Sequence, residues 1–111
     1  MARILRGDIY WIEFDPTVGH EQAGLRPGLI LSADVFNERS KTVIAVAVTS
    51  QQPSVGFPLA VALTGTRLPK QSWVKVGQIR TLSTQRLKGK LGRASAEDIQ
   101  AVIDGLNEII G

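Results

Sequence analysis

The sequence of 111 residues contains no cysteine, a single histidine (His20) and few aromatic side chains, which make up 5% of the chain. Without cysteine the chain has no disulfide framework, no thiolate zinc site and no cysteine nucleophile. One histidine also argues against a metal site built from imidazoles, since such sites need several nitrogen or sulfur ligands. The chain therefore has to fold on its apolar residues alone, and a chain of this length can bury a sufficient core.

Long hydrophobic runs are also missing, and we expect no signal peptide. No apolar stretch approaches the ~18 residues that a membrane span needs, and the N-terminus leads straight into patterned sequence. We therefore expect a single domain, residues 1–111, that is cytoplasmic and has no membrane contact.

Acidic residues are absent from residues 67–93, although that stretch carries eight basic side chains. They are Arg67, Lys70, Lys75, Arg80, Arg86, Lys88, Lys90 and Arg93. Residues 94–111 have the opposite bias, with four acidic residues and no basic one, and the formal net charge of the whole chain is +3. A stretch whose charged side chains are all positive attracts polyanions such as nucleic acid, but it is equally typical of an ordinary solvated basic face.

Glycine, proline and other turn residues divide most of the chain into short apolar segments. The pattern predicts strands at 8–14, 28–32, 43–49, 59–63 and 72–82, a loop over 15–27 and a short helical turn from Asp34 to Ser40. Short strands at this spacing predict a small, mainly β barrel.

The C-terminal segment has a different periodicity. Apolar residues from Ile99 to Ile110 recur every three or four positions, which predicts a helix with one apolar stripe. Ser95 is the predicted N-cap, and Glu97 and Asp98 suit the positive end of the helix dipole. We expect this helix to pack its stripe against the barrel.

The predicted loop over 15–27 has an unusual density of polar side chains. His20, Glu21, Gln22 and Arg26 fall within seven residues, and loops held by a rigid scaffold often carry function. Arg26 precedes a proline, which favours extended backbone, and its planar guanidinium suits a phosphate. A structural ion pair of Arg26 and an ordinary surface position for His20 are the alternative interpretations.

Two further segments hold candidate side chains. Thr49 and Ser50 end the most apolar predicted strand, where their hydroxyls bind a ligand or simply cap the backbone. Lys75 and Gln78 belong to a polar–apolar alternation, which any half-exposed strand shows. The residues alone do not decide between these interpretations.

Four segments together resemble the MazF/PemK/Kid toxins of toxin–antitoxin modules. They are Arg6-Gly7-Asp8-Ile9, Asp15-Pro16-Thr17 through to Arg26-Pro27, Val48-Thr49-Ser50 and Gln78-Ile79-Arg80-Thr81. The resemblance covers nearly the whole chain. It implies a small SH3-like barrel of the CcdB/PemK type with a C-terminal helix, assembled as a homodimer. It also implies an endoribonuclease that cuts single-stranded RNA without a metal or other cofactor.

The resemblance also implies roles for individual residues. Arg26 and Thr49 fall on the family's usual catalytic pair, and His20 and Glu21 are the candidates for proton transfer. RNA binding is expected for Gln22, Ser50, Lys75 and Gln78. Attack of the RNA's own 2′-hydroxyl on the adjacent phosphorus requires no protein nucleophile, and it leaves a 2′,3′-cyclic phosphate and a 5′-hydroxyl.

Two positions depart from the family pattern. Kid and some other members have an acid–base Arg and Asp where this chain has Lys75 and Gly77, so their scheme of proton transfer does not carry over. Many relatives also have Ser at the position of His20.

The resemblance further implies a cognate antitoxin, whose disordered acidic segment would block the groove or the 67–93 region. The loop from Gln51 to Phe57 is expected to lie over the groove, where Phe57 stacks on a base or, as the favoured interpretation, packs into the barrel. The alternative function is a toxin of the same fold that inhibits a protein target such as DNA gyrase, because one fold can host unrelated functions.

Overall fold

A single antiparallel sheet dominates the computed structural model, which describes residues 3–14 and 25–111. Its strands are β1 (Asp8–Glu13), β2 (Leu25–Ile30), β3 (Thr42–Thr49), β4 (Ala60–Ala62), β5 (Trp73–Ser83) and β6 (Leu87–Arg93), in the order β4-β5-β3-β2-β1-β6. Helix α1 (Asp34–Ser40) joins β2 to β3, and helix α2 (Ala96–Ile110) follows β6. The mainly β, barrel-like fold with a C-terminal helix confirms the architecture that the sequence predicts.

The alternation of side chains along the strands divides the apolar residues between the two faces of the sheet. The first core comprises Ile9, Leu29, Leu31, Val46, Val48, Val61, Leu63, Val74, Val76, Ala94 and Val102. The second core comprises Ile12, Phe14, Ile30, Val43, Ala45, Ala47 and Leu82. Neighbours such as Leu29 and Ile30 therefore bury their side chains on opposite faces, which is why β2 and β3 are apolar almost throughout.

Helix α2 packs on the first core through Val102, which is fully buried. The predicted cap is confirmed, because the Ser95 hydroxyl accepts a hydrogen bond from the Asp98 backbone N–H at 3.1 Å. The predicted stripe is buried only in part. Ile109 is 40% exposed and Ile110 is 74% exposed, so the last turn extends beyond the core.

The buried carboxylate of Asp98 ties the start of α2 to the segment before the basic stretch. It accepts hydrogen bonds from the Gly65 backbone N–H at 3.0 Å and from Thr66 Oγ1 at 2.7 Å. The Thr66 hydroxyl oxygen in turn accepts from the Ser95 N–H at 3.2 Å. This network fixes residues 64–66 against the helix.

Strand β2 begins at Leu25, so the predicted boundary between the loop 15–27 and the strand 28–32 is wrong. Pro27 lies within the strand and pairs with Trp11 of β1. Proline is tolerated there because the ladder from β2 to β3 ends at Gly28, so that β3 requires no N–H from residue 27.

Strand β6 is absent from the sequence prediction. Its glycines and lysines are poor strand formers, so the segment 87–93 lacks the usual signal. β6 pairs only with β1 and forms one edge of the sheet, with Lys88 and Lys90 exposed. In the part of the chain that the structure describes, neither helix has the length and hydrophobicity that crossing a bilayer requires.

Candidate active site

Arg26 and Thr49 lie on neighbouring strands at one end of the sheet. β2 and β3 pair antiparallel, and the last pair in this direction is Gly28 with Ala47. Arg26 and Thr49 each lie two residues beyond this last pair, at the neighbouring ends of β2 and β3. Both positions are on the face of the second core, because alternate residues share a face and Ala47 belongs to that core. Arg26 is exposed and Thr49 is half-buried, so a ligand from solvent can reach both.

The Thr49 hydroxyl has one structural contact. Its oxygen accepts a hydrogen bond from the Gln51 backbone N–H at 3.1 Å, which shapes the turn after β3. A hydroxyl oxygen that accepts in this way still has its hydrogen to donate. The capping interpretation is therefore correct for this threonine, and it is compatible with donation to an anion.

Lys75 and Gln78 come from the neighbouring strand β5. Lys75 pairs with Ala47, which places it on the same face as Thr49. The next pair joins Val46 to Ile79, so residues 76–78 of β5 have no partner on β3. A bulge of this kind redirects side chains, and it includes the exposed Gln78.

Ser50 is exposed and directly follows β3. It lines a cavity of about 340 Å³ together with Trp11 and Pro27. It is therefore next to Thr49 in the chain but borders a different hollow in the surface.

His20, Glu21 and Gln22 lie outside the described residues. The described residues on either side of that segment lie close together, because Glu13 of β1 pairs with Leu25 of β2. Both of these residues are therefore adjacent to Arg26, which pairs with Ile12 in the same ladder.

Two arginines that the sequence analysis does not select hold the backbone where that segment begins. The Arg80 guanidinium donates a hydrogen bond to the Phe14 carbonyl oxygen at 2.7 Å, and Arg86 donates to the Glu13 carbonyl oxygen at 3.2 Å. Arg80 stands within one of the segments that carry the family resemblance, but only the three-dimensional structure shows what it contacts. Apart from that motif, the sequence signal for Arg80 is its position in residues 67–93, which contain no acidic side chain.

Positive charge is concentrated on this face of the sheet. Arg80 pairs with Ala45, a member of the second core, so that Arg26, Lys75 and Arg80 share the face. Arginine remains protonated at any pH at which the protein is folded. The arrangement suits an anionic ligand held by several donors. Within residues 3–14 and 25–111, no three His, Cys, Asp or Glu side chains form a group that resembles a metal site.

Phe57 does not pack into the barrel, and that prediction is wrong. Its side chain is 58% exposed. It lies against helix α2, since a Cβ placed on Gly105 would be 3.5 Å from Phe57 Cε1. The absent side chain at Gly105 is what lets the loop approach the helix so closely.

Comparison with known proteins gives one consistent result. A family model described as PemK-like, MazF-like toxin of type II toxin–antitoxin system matches residues 5–110. The endoribonuclease EndoA of Bacillus subtilis is 34% identical over 105 residues, which are 93% of this chain and 90% of that protein. The crystal structure of MazF from Deinococcus radiodurans superimposes with a TM-score of 0.82 at 30% identity, over 100% of this chain and 99% of that one. A mycobacterial endoribonuclease solved in complex with its cognate antitoxin has a TM-score of 0.78 at 27% identity, over 97% of this chain and 95% of that one.

Proposed function

Because this chain belongs to the PemK-like, MazF-like toxins of type II toxin–antitoxin systems, we propose that it is an endoribonuclease that cuts single-stranded RNA in a sequence-specific manner. The observation that carries the proposal is that Arg26 and Thr49 lie at the neighbouring ends of β2 and β3, on one exposed, positively charged face of the sheet. The relatives with the names endoribonuclease EndoA and MazF support the same activity.

Arg26 and Thr49 have complementary roles in the proposed reaction. The 2′-hydroxyl of the RNA attacks the adjacent phosphorus, the bond to the 5′-oxygen breaks, and a 2′,3′-cyclic phosphate and a 5′-hydroxyl result. Negative charge on the non-bridging oxygens is stabilised by the guanidinium of Arg26 and by the hydroxyl of Thr49. The nucleophile is part of the substrate, so the scheme requires no metal.

One group must accept the proton of the 2′-hydroxyl, and another must protonate the leaving 5′-oxygen. We assign these tasks to Glu21 and His20, since an ionised carboxylate can accept a proton and a protonated imidazole can donate one. Arg26 is excluded as the base because it does not lose its proton.

RNA binding in the proposal involves the side chains around the pair. Lys75 is on the same face and offers a cation to the backbone, and Gln78 on the β5 bulge offers an amide to a base. Ser50, which directly follows Thr49, and Gln22, which lies outside the described residues, complete the set. Sequence-specific proteins mostly bind unpaired RNA, whose base edges are accessible.

The proposal extends to the context of the toxin. Residues 1–111 form one toxin domain that acts in the cytoplasm as a homodimer and is inhibited by a cognate antitoxin. The similarity to an endoribonuclease solved with its antitoxin supports that partner.

The decisive experiment is cleavage of a long, weakly structured RNA by the purified protein in the presence of EDTA. We expect discrete fragments with 5′-hydroxyl ends, and a loss of rate of about 100-fold or more for Arg26→Ala, in line with removal of one electrostatic stabiliser. Arg39→Ala, which removes an exposed arginine at the end of α1, is the matched control and should cleave at the normal rate. Undiminished cleavage by Arg26→Ala, or none by the folded wild type, would contradict the proposal and favour a toxin with a protein target.

A further inference from the structure

A cavity of about 340 Å³ opens beside the strand ends that carry Arg26 and Thr49. We propose that this cavity binds one unpaired base of the RNA strand next to the scissile phosphate, with Trp11 as the stacking platform. The inference rests on the proposed function, since it names a base-binding part of the same RNA site. It concerns residues that neither the motifs nor the family resemblance singles out, above all Trp11, Lys70 and Leu91.

The cavity adjoins the strand ends that carry the candidate active site. Pro27 and Ser50 contribute to its lining, and they are the residues that directly follow Arg26 and Thr49. Consecutive residues of a strand point to opposite faces of the sheet. A nucleotide chain that crosses these strand ends therefore meets the Arg26–Thr49 pair on one side and the cavity on the other.

The indole of Trp11 is 39% exposed, although its neighbours Tyr10 and Ile12 in β1 are more buried. It is flanked by Pro27 of β2 and by Gly89 of β6, its partners in the two ladders. A Cβ on Gly89 would be 3.9 Å from Trp11 Cδ1, so a larger residue there would cover the ring. An aromatic ring left open beside a cavity stacks with any base, because every base has a π-face.

The other residues that line the cavity suit an RNA base and its phosphate better than they suit an apolar side chain of a protein. Leu68 and Leu91 supply apolar surface, while Lys70 supplies a cation and the exposed Ser50 supplies a hydroxyl. Ser50 makes no side-chain hydrogen bond to another described residue. None of the described residues that line the cavity is acidic. An apolar ligand would use the leucines alone and leave the cation and the hydroxyl without partners.

The test uses tryptophan fluorescence, because the chain has only two tryptophans, Trp11 and Trp73. In the variant Trp73→Phe the emission reports Trp11 alone. The ligand is a short, fully 2′-O-methylated oligonucleotide of mixed sequence, which lacks the attacking hydroxyl and binds without being cut. A second oligonucleotide of the same length carries abasic sugars in place of nucleotides and offers only phosphates.

We expect the oligonucleotide with bases to quench Trp11 strongly, and the abasic one to bind at least about 10-fold more weakly, with little quenching. The converse variant Trp11→Phe, which reports Trp73, should show much less quenching by the same ligand. Equal quenching of Trp11 by both oligonucleotides would overturn the proposal, as would RNA binding that leaves Trp11 emission unchanged. Emission of Trp11 that responds to the cognate antitoxin but not to RNA would assign the cavity to an apolar side chain of that protein instead.

Kinetics on cleavable RNA give a second readout. Trp11→Ala should raise KM about 10- to 100-fold with a small change in kcat, and Trp11→Phe should retain most of the affinity because it keeps a π-face. Ile109→Ala, which removes a side chain of similar exposure (40%) from the last turn of α2, should leave both constants unchanged. Because the fluorescence experiment needs no cleavage, a toxin that binds RNA in the cavity but fails to cut it would contradict the proposed function and leave this inference standing.

Discussion

The guanidinium of Arg80 in β5 donates a hydrogen bond to the carbonyl oxygen of Phe14, at 2.7 Å, across 66 residues of sequence. Arg86 makes the corresponding contact to Glu13 from the 3₁₀ turn Thr84–Arg86, between β5 and β6. Two cations thus hold the backbone immediately before residues 15–24, which contain His20 and Glu21. The contacts suggest that Arg80 and Arg86 are positioning residues.

Substitution of Arg80 should separate a positioning effect from a charge effect. Arg80→Lys keeps the positive charge but loses the planar fork of donors. We expect a fall in kcat of about 10-fold or more, because small misplacement of reacting groups is costly, and a small change in KM. Steady-state cleavage at two salt concentrations measures both constants.

A binding role for Arg80 would give another pattern. Arg80→Ala would then raise KM in a salt-dependent way, and the lysine variant would restore normal kinetics. That result would contradict the positioning role.

The hydroxyl of Thr49 can be tested with two substitutions of similar size. Thr49→Val removes the donor while keeping the shape, and Thr49→Ser keeps the hydroxyl. We expect a loss in kcat of about 100-fold for valine and of less than about 10-fold for serine, measured in single-turnover cleavage.

Thr42→Val is the matched control, since Thr42 is at the opposite end of the same strand. It should cleave normally. Equal activity of Thr49→Val and Thr49→Ser would show that the hydroxyl does not take part in the reaction.

Asp98→Asn should weaken the attachment of residues 64–66 to α2. The contacts from Gly65 and Thr66 both end on the same oxygen, Oδ2, while Oδ1 accepts from the Thr64 hydroxyl at 3.4 Å, and the substitution replaces one of these two oxygens with a donor. Hydrogen bonds to a charged group contribute about 1.5–3 kcal/mol, so we expect a loss of that order in the free energy of unfolding, measured by urea denaturation. Amide exchange at Gly65 should also become faster.

Glu97→Gln is the control for Asp98→Asn, because it removes an exposed carboxylate from the same helical turn. Its effect should stay within about 0.5 kcal/mol. If both variants lose equal stability, the cause is the helix dipole and not the buried network.

Tyr10 is the only tyrosine of the chain, so its ionisation can be followed without overlap from another phenol. Burial raises the pKa of Tyr10 above its ordinary value of 10.0, and the nearby Asp8 carboxylate raises it further, against a smaller opposite effect of Lys90. The tyrosinate absorbance of the folded protein should therefore appear at higher pH than that of the protein in urea. Equal midpoints in the two states would contradict the assignment.

The same shift in pKa predicts a loss of stability in alkali. Below pH 10.0, the unfolded value, the phenol is neutral in both states and its contribution is fully present. As the pH rises from there through the folded pKa, the unfolded chain releases its proton first, and the free energy of unfolding falls. Tyr10→Phe should lose less stability than the wild type over this range.

Local sequence patterns predicted both described helices, because the residues that start and cap a helix lie within a few positions of each other. The bounds of α1, Asp34–Ser40, agree with the prediction, and the cap of α2 needs only Ser95 and Asp98, three residues apart. Strand β6 shows the opposite case, because its lysines and glycines become a strand only through pairing with β1. Tertiary context there outweighs an unfavourable local propensity.

The candidate site was predictable to the extent that it depends on sequence motifs. Arg26 and Thr49 stand in motifs, and the pairing of β2 with β3 then brings together the strand ends that carry them. The contacts of Arg80 and Arg86 join residues far apart in the chain, so no window of sequence contains both partners. Trp11 is similar, since its exposure depends on what its cross-strand partners Pro27 and Gly89 leave open.

The two edges of the sheet bear on how copies of this protein behave in a crowded cell. β4 has only three residues, and β6 presents Lys88 and Lys90 to solvent. Short edges and exposed lysines discourage unrelated chains from adding strands to a sheet. Both features disfavour the edge-to-edge pairing of copies from which fibrils grow.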